Sequence, residues 1–286
     1  MTQTSRSSDA NSPIPGRSAP PLLRALLLGG SLLFAACGTG ALSSGAPASG
    51  EPAASAAPSA SVPASPAIAG ALQKDFVGVV GNVMPSVVVI ETTSGLGSGI
   101  VFDAKGDIVT NDHVVAGSTK FTVTLADGQK LAGTLVGTYP AGDLAVIHVT
   151  GTNLKPATFG DSSKLVAGDI VLAVGSPLGL QGSVTEGIVS AIGRKVPESK
   201  TVTLPDVVQT SAEINPGNSG GALVDLAGEV VGIPTLTALD PELGNTAAAG
   251  IGFAIPSNVV ADVAGQLIAH GRVVTPPSPS ASPAAS

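Results

Sequence analysis

Ser219 is the side chain in this sequence best placed to act as a nucleophile. It lies in the segment 215–221, NPGNSGG, where glycines on both sides permit a tight turn. A serine hydroxyl attacks a carbonyl group only when it is exposed beside a base, with backbone N–H groups aimed at the oxygen that becomes charged. A cluster of Gly, Ser and Asn is also typical of an ordinary surface loop. The residues that would act with Ser219 must therefore be found elsewhere.

One set of partners would follow Ser219 in the chain. Residues 217–221 fit the G-x-S-x-G pattern of an α/β-hydrolase elbow, and Asp240 or Asp262 with His270 would complete the order Ser, Asp, His. That elbow requires a helix directly after the serine. The sequence that follows is instead typical of a β-hairpin, and no repeated βαβ pattern predicts a parallel sheet. We therefore disfavour this arrangement.

The other set of partners precedes Ser219. His113 lies in TNDHVV, and Asp143 opens the apolar run DLAVIHV. An acid at the start of such a run suits a buried residue that orients a histidine. The order His, Asp, Ser is that of trypsin-like proteases.

The elements that would position these residues are short and rich in β-formers. From residue 86 onward, apolar runs alternate with Gly, Asp and Asn turns, which predicts an all-β barrel or sandwich unit used twice. A helix is predicted over 72–83, and another over 257–270 with Ser257 as its N-cap and Gly271 as its C-cap. Strands are predicted near 86–93, 98–103, 120–125, 130–139, 143–149, 169–174, 183–192, 206–210, 221–225, 229–235 and 250–255.

Five stretches resemble, in the right order, signature segments of the HtrA (Deg) family of trypsin-like serine proteases. They are GSGIVFDAKGDIVTNDHVV, GDLAVIHV, AVGSPLGLQGSVTEGIVSAIGR, QTSAEINPGNSGGALVDLAGEVVGI and GIGFAIPSN. Together they cover most of residues 72–272. The resemblance implies two perpendicular six-stranded β-barrels, at about 86–155 and 165–255, with the active site in the cleft between them and a C-terminal helix at about 257–271.

The same resemblance implies a role for each member of the triad. His113 would take the proton of Ser219 as general base and return it to the leaving amine, while Asp143 would hold the imidazole tautomer. The segment Gly217, Asn218 and Ser219 would form the oxyanion hole, through the backbone N–H groups of the first and last of these residues.

Asn218 departs from the pattern of trypsin-like zymogens, which carry an aspartate before the serine to bind a newly cut amino terminus. A neutral amide cannot form that ion pair. We therefore expect no zymogen cleavage, and expect ordering of the loops around 193–206 and Gly217 to gate the oxyanion hole instead.

The predicted substrate pocket is apolar. No acid occupies a place that would select Lys or Arg, so we expect a small aliphatic residue on the acyl side of the cleaved bond. Pro234 stands where relatives commonly have Asn, and it lacks the N–H that a substrate-pairing strand would offer. The predicted lining is Ile214, Ile233, Pro234, Thr235 and Leu236.

Five other polar residues are interpreted as structural. His148 shares a strand face with apolar residues, and His270 lies in the last turn of a helix, where cations are favoured. The acids in this group are expected at turns and strand ends, and they are Asp161, Asp169 and Glu186.

Both ends of the chain differ in composition from its middle. Residues 1–37 resemble a bacterial lipoprotein signal, with arginines, an apolar run and small residues before Cys37, the only cysteine. We expect lipidation of Cys37, although Phe34 stands where such signals usually have Leu; a plain secretory signal or an uncleaved anchor are the alternatives. Segment 38–70 is predicted to be a disordered Ala/Ser/Pro/Gly linker, 71–274 the protease domain, and 275–286 a disordered tail.

Composition excludes several functions. The chain has 13 Lys and Arg against 20 Asp and Glu, a formal net charge of −7, without a basic cluster, which argues against nucleic-acid binding. It contains no CxxC pair, HExxH motif or Gly-rich phosphate loop, so neither a metal nor a cofactor is predicted.

The resulting expectation is an exported, lipid-anchored endopeptidase that degrades unfolded or damaged proteins outside the cytoplasm. The alternative is a chaperone-like binding lipoprotein with the same fold and little turnover. Family members usually continue into PDZ domains, which this sequence lacks after the final helix, and they commonly form trimers, which makes a homotrimer one expected assembly.

Overall fold

The computed structural model describes residues 66–93, 95–151, 153–176, 182–198, 202–215, 217–240 and 246–278. The predicted signal segment with Cys37, nearly all of the predicted linker and most of the predicted tail lie outside these residues. The helices are α1 Pro66–Val83, α2 Asp112–Val115 and α3 Ser257–His270. The strands are β1 Val87–Glu91, β2 Leu96–Val101, β3 Asp107–Thr110, β4 Lys120–Thr124, β5 Lys130–Tyr139, β6 Leu144–Val149, β7 Ile170–Gly175, β8 Ser183–Pro197, β9 Thr203–Thr210, β10 Ala222–Val224, β11 Val230–Asp240 and β12 Thr246–Pro256.

The strands form two closed barrels. The first follows the order β1-β2-β3-β6-β5-β4 and the second the order β10-β11-β12-β9-β8-β7, and every pair is antiparallel. This confirms the predicted all-β fold of two six-stranded barrels. His113 and Asp143 come from connections of the first barrel, and Ser219 from the β9–β10 connection of the second.

Strand alternation explains why continuous apolar runs form these barrels. On β6, Ala145 and Ile147 face the interior of the first barrel, whereas Leu144 and Val146 belong to a separate core. That second core also contains Leu172 and other residues of the second barrel, together with buried side chains of α1 and α3. A strand buried on both faces has no polar side to show in its sequence. The double burial fixes Asp143, the residue before β6, between the two barrels.

The structure corrects the predicted helix boundaries. Helix α1 begins at Pro66, so it takes in residues 66–70 of the predicted linker; proline is favoured in the first helical turn. Ser257 does not cap α3, whose N-cap is Pro256. Instead the Ser257 hydroxyl donates to the carbonyl of Gly160 at 2.7 Å.

The C-terminal end of α3 agrees with prediction. Gly271 adopts the left-handed conformation, with φ 68°, and its N–H donates to the carbonyl of Leu267. The α3 end lies so close to β5 that a Cβ on Gly137 would be 2.5 Å from the oxygen of Gly271. Glycine at 137 therefore allows the helix to pack on the first barrel.

Two strand predictions are also corrected. Strand β3 was missed because it has only four residues and follows a turn in which Asp103 accepts three backbone N–H bonds. Strand β8 extends to Pro197 and β9 starts at Thr203, so much of the loop predicted over 193–206 is paired strand. Among the described helices, none has the length and apolar character needed to cross a membrane.

Candidate active site

His113 lies on the short helix α2, where its backbone and its ring bind the same carboxylate. The backbone N–H donates to Oδ1 of Asp143 at 3.0 Å, and ring Nδ1 lies 3.0 Å from Oδ1 and 2.9 Å from Oδ2. Because a carboxylate only accepts, Nδ1 carries the hydrogen and Nε2 is left as the basic nitrogen. The His113 side chain is 44% exposed, whereas that of Asp143 is 2% exposed. A buried acid thus orients an accessible base.

Asp143 is held in place by contacts from both barrels. It adopts a left-handed conformation, with φ 49°, which is uncommon for a residue other than glycine. Its carbonyl accepts from Nδ2 of Asn111 at 2.9 Å, and its Oδ2 accepts from the hydroxyl of Thr235 at 2.5 Å. Thr235, a predicted pocket residue, lines the cleft, and its hydroxyl is directed at the carboxylate.

The surroundings of His113 favour its protonated form. Burial is the largest influence and opposes the charge, but the hydrogen bond and negative charge of Asp143, with the charges of Glu198 and Asp112, outweigh it. The pKa of His113 is therefore raised above its ordinary value. This is the direction expected for a base that must hold a proton during a reaction.

Ser219 shares a cleft with His113. The cleft is open to solvent and is lined by residues of both barrels. Among the described residues, the Ser219 hydroxyl makes one hydrogen bond, to the carbonyl of Thr235 at 3.2 Å, and none to the imidazole. The serine hydroxyl is therefore directed at Thr235 and is not hydrogen-bonded to the base.

The backbone around Ser219 leaves two N–H groups available. Gly217 has φ 101°, Asn218 N–H donates to Asn215, and Gly221 N–H donates back to Asn218. Within the part of the chain that the structure describes, the N–H groups of Gly217 and Ser219 have no hydrogen-bond acceptor. Two free N–H groups two residues apart are what an oxyanion hole requires.

Asn218 lies under this loop rather than in the cleft. Its side chain is fully buried, and neither Oδ1 nor Nδ2 has a partner among the described residues. A Cβ on Gly175 would lie 2.7 Å from that Oδ1. The amide therefore packs against β7, and its backbone position, not its side chain, belongs to the predicted oxyanion segment.

Ser98 was not singled out by the sequence, yet it connects three segments. Its hydroxyl donates to the carbonyl of Gly217 at 2.5 Å and accepts from the N–H of Ser176 at 2.8 Å. Its backbone N–H donates to the carbonyl of Ser219 at 3.0 Å, while its carbonyl accepts from the Thr110 hydroxyl at 2.7 Å. The signal available in the sequence was a polar serine within the predicted strand 98–103; in the structure this serine is fully buried on β2.

The cleft brings together only part of the predicted pocket. Ile214, Thr235 and Leu236 line it, with Leu96 of the first barrel on the opposite side. Ile233 does not, because its side chain is fully buried in the core between the barrels. Pro234 also lies outside the lining, and its carbonyl accepts the N–H of Gly220. Strand β11 is irregular between Pro234 and Leu236, so strict alternation does not hold there, and the consecutive residues Thr235 and Leu236 both reach the cleft.

The remaining polar candidates lie in other surroundings. His148 pairs with Asp107 on the neighbouring strand at 2.9 Å, and Asp262 accepts from Gln266 within α3. Asp161 caps a 3-10 turn, Asp169 accepts from the N–H of Val166, and Glu186 is exposed on β8. The serine is followed by strand β10, so the α/β-hydrolase arrangement is excluded.

Glu198, like Ser98, is a functional candidate that the sequence pattern does not indicate. It follows β8, and its Oε1 lies 3.8 Å from Nδ1 of His113. Its position depends on how far the β8–β9 hairpin extends, which no local pattern specifies.

Known proteins are similar to this chain in sequence and in structure. A family model for the trypsin-like peptidase domain matches residues 97–233. Serine protease Do-like HtrA of Lactococcus lactis subsp. cremoris is 44% identical over 192 residues, covering 64% of this chain and 47% of that protein. Periplasmic serine endoprotease DegP of Escherichia coli K12 is 46% identical over 180 residues, covering 62% and 37%. The solved structure of HtrA-type protease AlgW with decapeptide is 34% identical, with a TM-score of 0.61 and 68% of each chain covered.

This chain belongs to the HtrA-type family of trypsin-like serine proteases. The resemblance seen in the five signature stretches is thereby confirmed. The chain spans less than half the length of the two curated HtrA relatives, 47% and 37%. In the HtrA family context, the buried Asp143, the accessible His113 and the serine in the same cleft are the candidate triad.

Proposed function

We propose that this protein is an exported serine endopeptidase that hydrolyses peptide bonds in unfolded or damaged proteins outside the cytoplasm. The observation that carries the proposal is geometric. A buried carboxylate orients an accessible imidazole, and Ser219 lines the same cleft beside two backbone N–H groups that have no acceptor among the described residues. Each component needed for acyl transfer is therefore present.

The proposed reaction starts when substrate enters the cleft and the Ser219 hydroxyl turns from Thr235 towards Nε2 of His113. His113 takes the hydroxyl proton as the oxygen attacks the substrate carbonyl, and the N–H groups of Gly217 and Ser219 bind the oxyanion. His113 then passes the proton to the leaving amine, which leaves an acyl-enzyme. Water, activated by the same imidazole, releases the second product. Throughout, Asp143 stabilises the imidazolium.

The names of the relatives support the substrate class. DegP is named a periplasmic serine endoprotease, and AlgW has been solved with a tripeptide and with a decapeptide. A peptide in an open cleft lined by Ile214 and Leu236 fits the expectation of a small aliphatic residue on the acyl side. Digestion of a mixed peptide library, with mass spectrometry of the products, tests that preference.

Activity is tested with unfolded, fluorescently labelled casein. The Ser219→Ala variant is expected to lose cleavage, and Ser190→Ala, the same change at an exposed serine of β8, is expected to retain it. Cleavage by Ser219→Ala at the wild-type rate would refute the assigned nucleophile.

A second candidate function is binding of unfolded chains without turnover. The hydrogen bond from Ser219 to Thr235 favours it, because a nucleophile held away from its base does not react. Labelling of Ser219 by a fluorophosphonate separates the two functions. A binding protein would suppress casein aggregation without being labelled, whereas the proposed protease is labelled.

Export and attachment form a separate part of the proposal. Residues 1–37 are proposed as a lipoprotein signal with Cys37 as the lipidated residue, and the assembly as a homotrimer. Metabolic labelling with an alkyne fatty acid, compared between wild type and Cys37→Ser, tests lipidation. Analytical ultracentrifugation of the purified protein tests the trimer.

Activation without proteolytic cutting is proposed from Asn218. A buried neutral amide offers no carboxylate to a new amino terminus. Sequencing the amino terminus of fully active protein tests this proposal, which predicts no obligatory cut near residue 72.

A further inference from the structure

Glu198 brings a second carboxylate to the oriented imidazole. It lies just beyond β8 of the second barrel, where its N–H donates to the carbonyl of Val202 at 3.0 Å and closes the hairpin. Its side chain is 17% exposed, and Oε1 lies 3.8 Å from Nδ1 of His113. One carboxylate oxygen of Glu198, one ring nitrogen of His113 and one carboxylate oxygen of Asp143 all lie within 4.8 Å of one another. One imidazole therefore faces two acids.

The two acids differ in how firmly their charge is stabilised. The Asp143 carboxylate already accepts the backbone N–H of His113, its ring N–H, and the hydroxyl of Thr235. Hydrogen bonds to the charged form keep a carboxylate ionised. Among the described residues, Glu198 has no comparable donors to its side chain. Of the two acids, Glu198 is therefore the one that is protonated more readily.

The electrostatic surroundings agree with this assignment. Burial raises the pKa of Glu198 most, and the negative charges of Asp143 and Asp112 raise it further. His113 lowers it, and the resulting pKa is about 7. A further acid, Asp206, lies on β9, which packs against the 3-10 turn before Asp143. The charged or titratable groups of the first barrel that act on Glu198 are Asp143, Asp112 and His113.

We propose that Glu198 is a positioning residue of the His113–Asp143 pair. In its neutral form it donates a hydrogen bond to Asp143, and in its ionised form it places a second negative charge beside the imidazole. The inference rests on the roles of His113 and Asp143 in the proposed function. It goes beyond them by making the β8–β9 hairpin part of what sets the strength of the base.

The two forms have opposite consequences for His113. A neutral Glu198 occupies lone pairs of Asp143 and adds no charge, so the imidazolium is stabilised by Asp143 alone. An ionised Glu198 stabilises the imidazolium that forms as Ser219 attacks. The benefit of Glu198 to kcat/KM is therefore absent in acid, where residue 198 is neutral both in the wild type and in a Glu198→Gln variant. It grows as the pH rises through the neutral range, where Glu198 ionises.

The first test measures His113 directly and does not depend on proteolysis. The ring C–H signals of the three histidines are followed by NMR against pH in the full chain carrying Ser219→Ala. EDTA is added so that trace divalent cations do not bind to Glu198, His113 and Asp143. Adding Glu198→Gln is expected to lower the pKa of His113, because glutamine keeps a donor and cannot ionise. The signals of His148 and His270 serve as internal references for the comparison between the two proteins. An unchanged His113 curve would overturn the proposal.

The second test uses the pH profile of peptide hydrolysis. The ratio of kcat/KM between wild type and Glu198→Gln is expected to rise from near one in acid to its largest value above neutral pH, and Glu198→Asp to restore part of the difference. Glu186→Gln, the same change at an exposed residue of β8, is expected to follow wild type. A ratio independent of pH would show a merely structural role and overturn the proposal. If no variant cleaves peptide, the proposed function fails, while the NMR result still decides the inference.

Discussion

The hydroxyl of Ser98 donates to the carbonyl oxygen of Gly217 over 2.5 Å, and this bond joins strand β2 of the first barrel to the nucleophile loop of the second. The backbone N–H of Ser98 binds the carbonyl of Ser219 in the same way, at 3.0 Å. The carbonyl groups of Gly217 and Ser219 are thus turned towards the first barrel. The backbone N–H groups of the same two residues have no acceptor among the described residues and can bind an oxyanion.

We predict that Ser98→Ala lowers kcat by about tenfold to a hundredfold, because the loop loses one of its two hydrogen bonds from Ser98. This loss is smaller than the 10² to 10³ that follows removal of a whole oxyanion donor. The Michaelis constant is expected to change less, since the donors act mainly in the transition state. Steady-state hydrolysis of a peptide with a chromogenic leaving group measures both constants. The exposed Ser190→Ala is the matched control. A variant with wild-type kcat would show that the Gly217 carbonyl needs no tie.

We predict that Thr235→Val weakens both folding and catalysis. Valine keeps the shape of a buried side chain but removes the donor to Oδ2 of Asp143. A hydrogen bond to a charged group contributes about 1.5 to 3 kcal/mol, so the free energy of unfolding is expected to fall by about that amount. Urea denaturation in the Ser219→Ala background, which avoids self-digestion, measures the change.

The control for that change is Thr185→Val, which removes an exposed hydroxyl that donates to a backbone carbonyl. Equal stability of the two valine variants would contradict a special role for the Thr235 hydroxyl. A loss of kcat in Thr235→Val with little change in stability would instead place its whole effect on the orientation of Asp143.

The parts of this fold that sequence could predict are those governed by local pattern. The apolar run after Asp143, the turn glycines around Ser219 and the order of the three polar residues lie in short contiguous stretches. Alternation and turn chemistry act over a few residues, so two barrels could be anticipated from them. Strand β3 escaped because four residues carry little pattern.

The parts that sequence could not predict depend on contacts between distant segments. Ser98 meets Gly217 across 119 positions, and Thr235 meets Asp143 across 92. The register of β11 shifts between Pro234 and Leu236, in the part of the strand that reaches the cleft. Such shifts arise from tertiary pairing.

We predict that the folded state loses stability as the pH rises from about 4.5 to 7. Burial and the charge of Asp143 raise the pKa of Glu198 from 4.5 to about 7. A group whose pKa is raised by folding stabilises the native state below its unfolded value, and that stability is lost as the pH passes through the folded value. His113, with its pKa also raised, acts in the same direction at higher pH.

Urea denaturation of the Ser219→Ala protein at intervals from pH 4.5 to 8 measures this dependence. Glu198→Gln is expected to flatten the curve below pH 7 and to reduce the part due to His113, whose pKa the substitution lowers. An identical curve in the two proteins would mean that Glu198 titrates alike in the folded and unfolded chain.

We predict that Ile214→Ala broadens the residues accepted on the acyl side of the cleaved bond. The Ile214 side chain lines the cleft and lies against β12, where a Cβ on Gly252 would be 2.5 Å from its Cγ1. Ile214 is also 8% exposed, so shortening it opens space inside the cleft rather than at its rim. The substitution removes three carbons, and a single methylene in an apolar pocket already changes discrimination by about 1 to 3 kcal/mol, so the preference for Val over Leu or Phe should fall by about tenfold or more. Competition assays with paired peptides that differ at this one residue give the ratio directly. Leu226→Ala, an exposed apolar residue outside the cleft lining, is the control, and an unchanged preference in Ile214→Ala would place the specificity pocket elsewhere in the cleft.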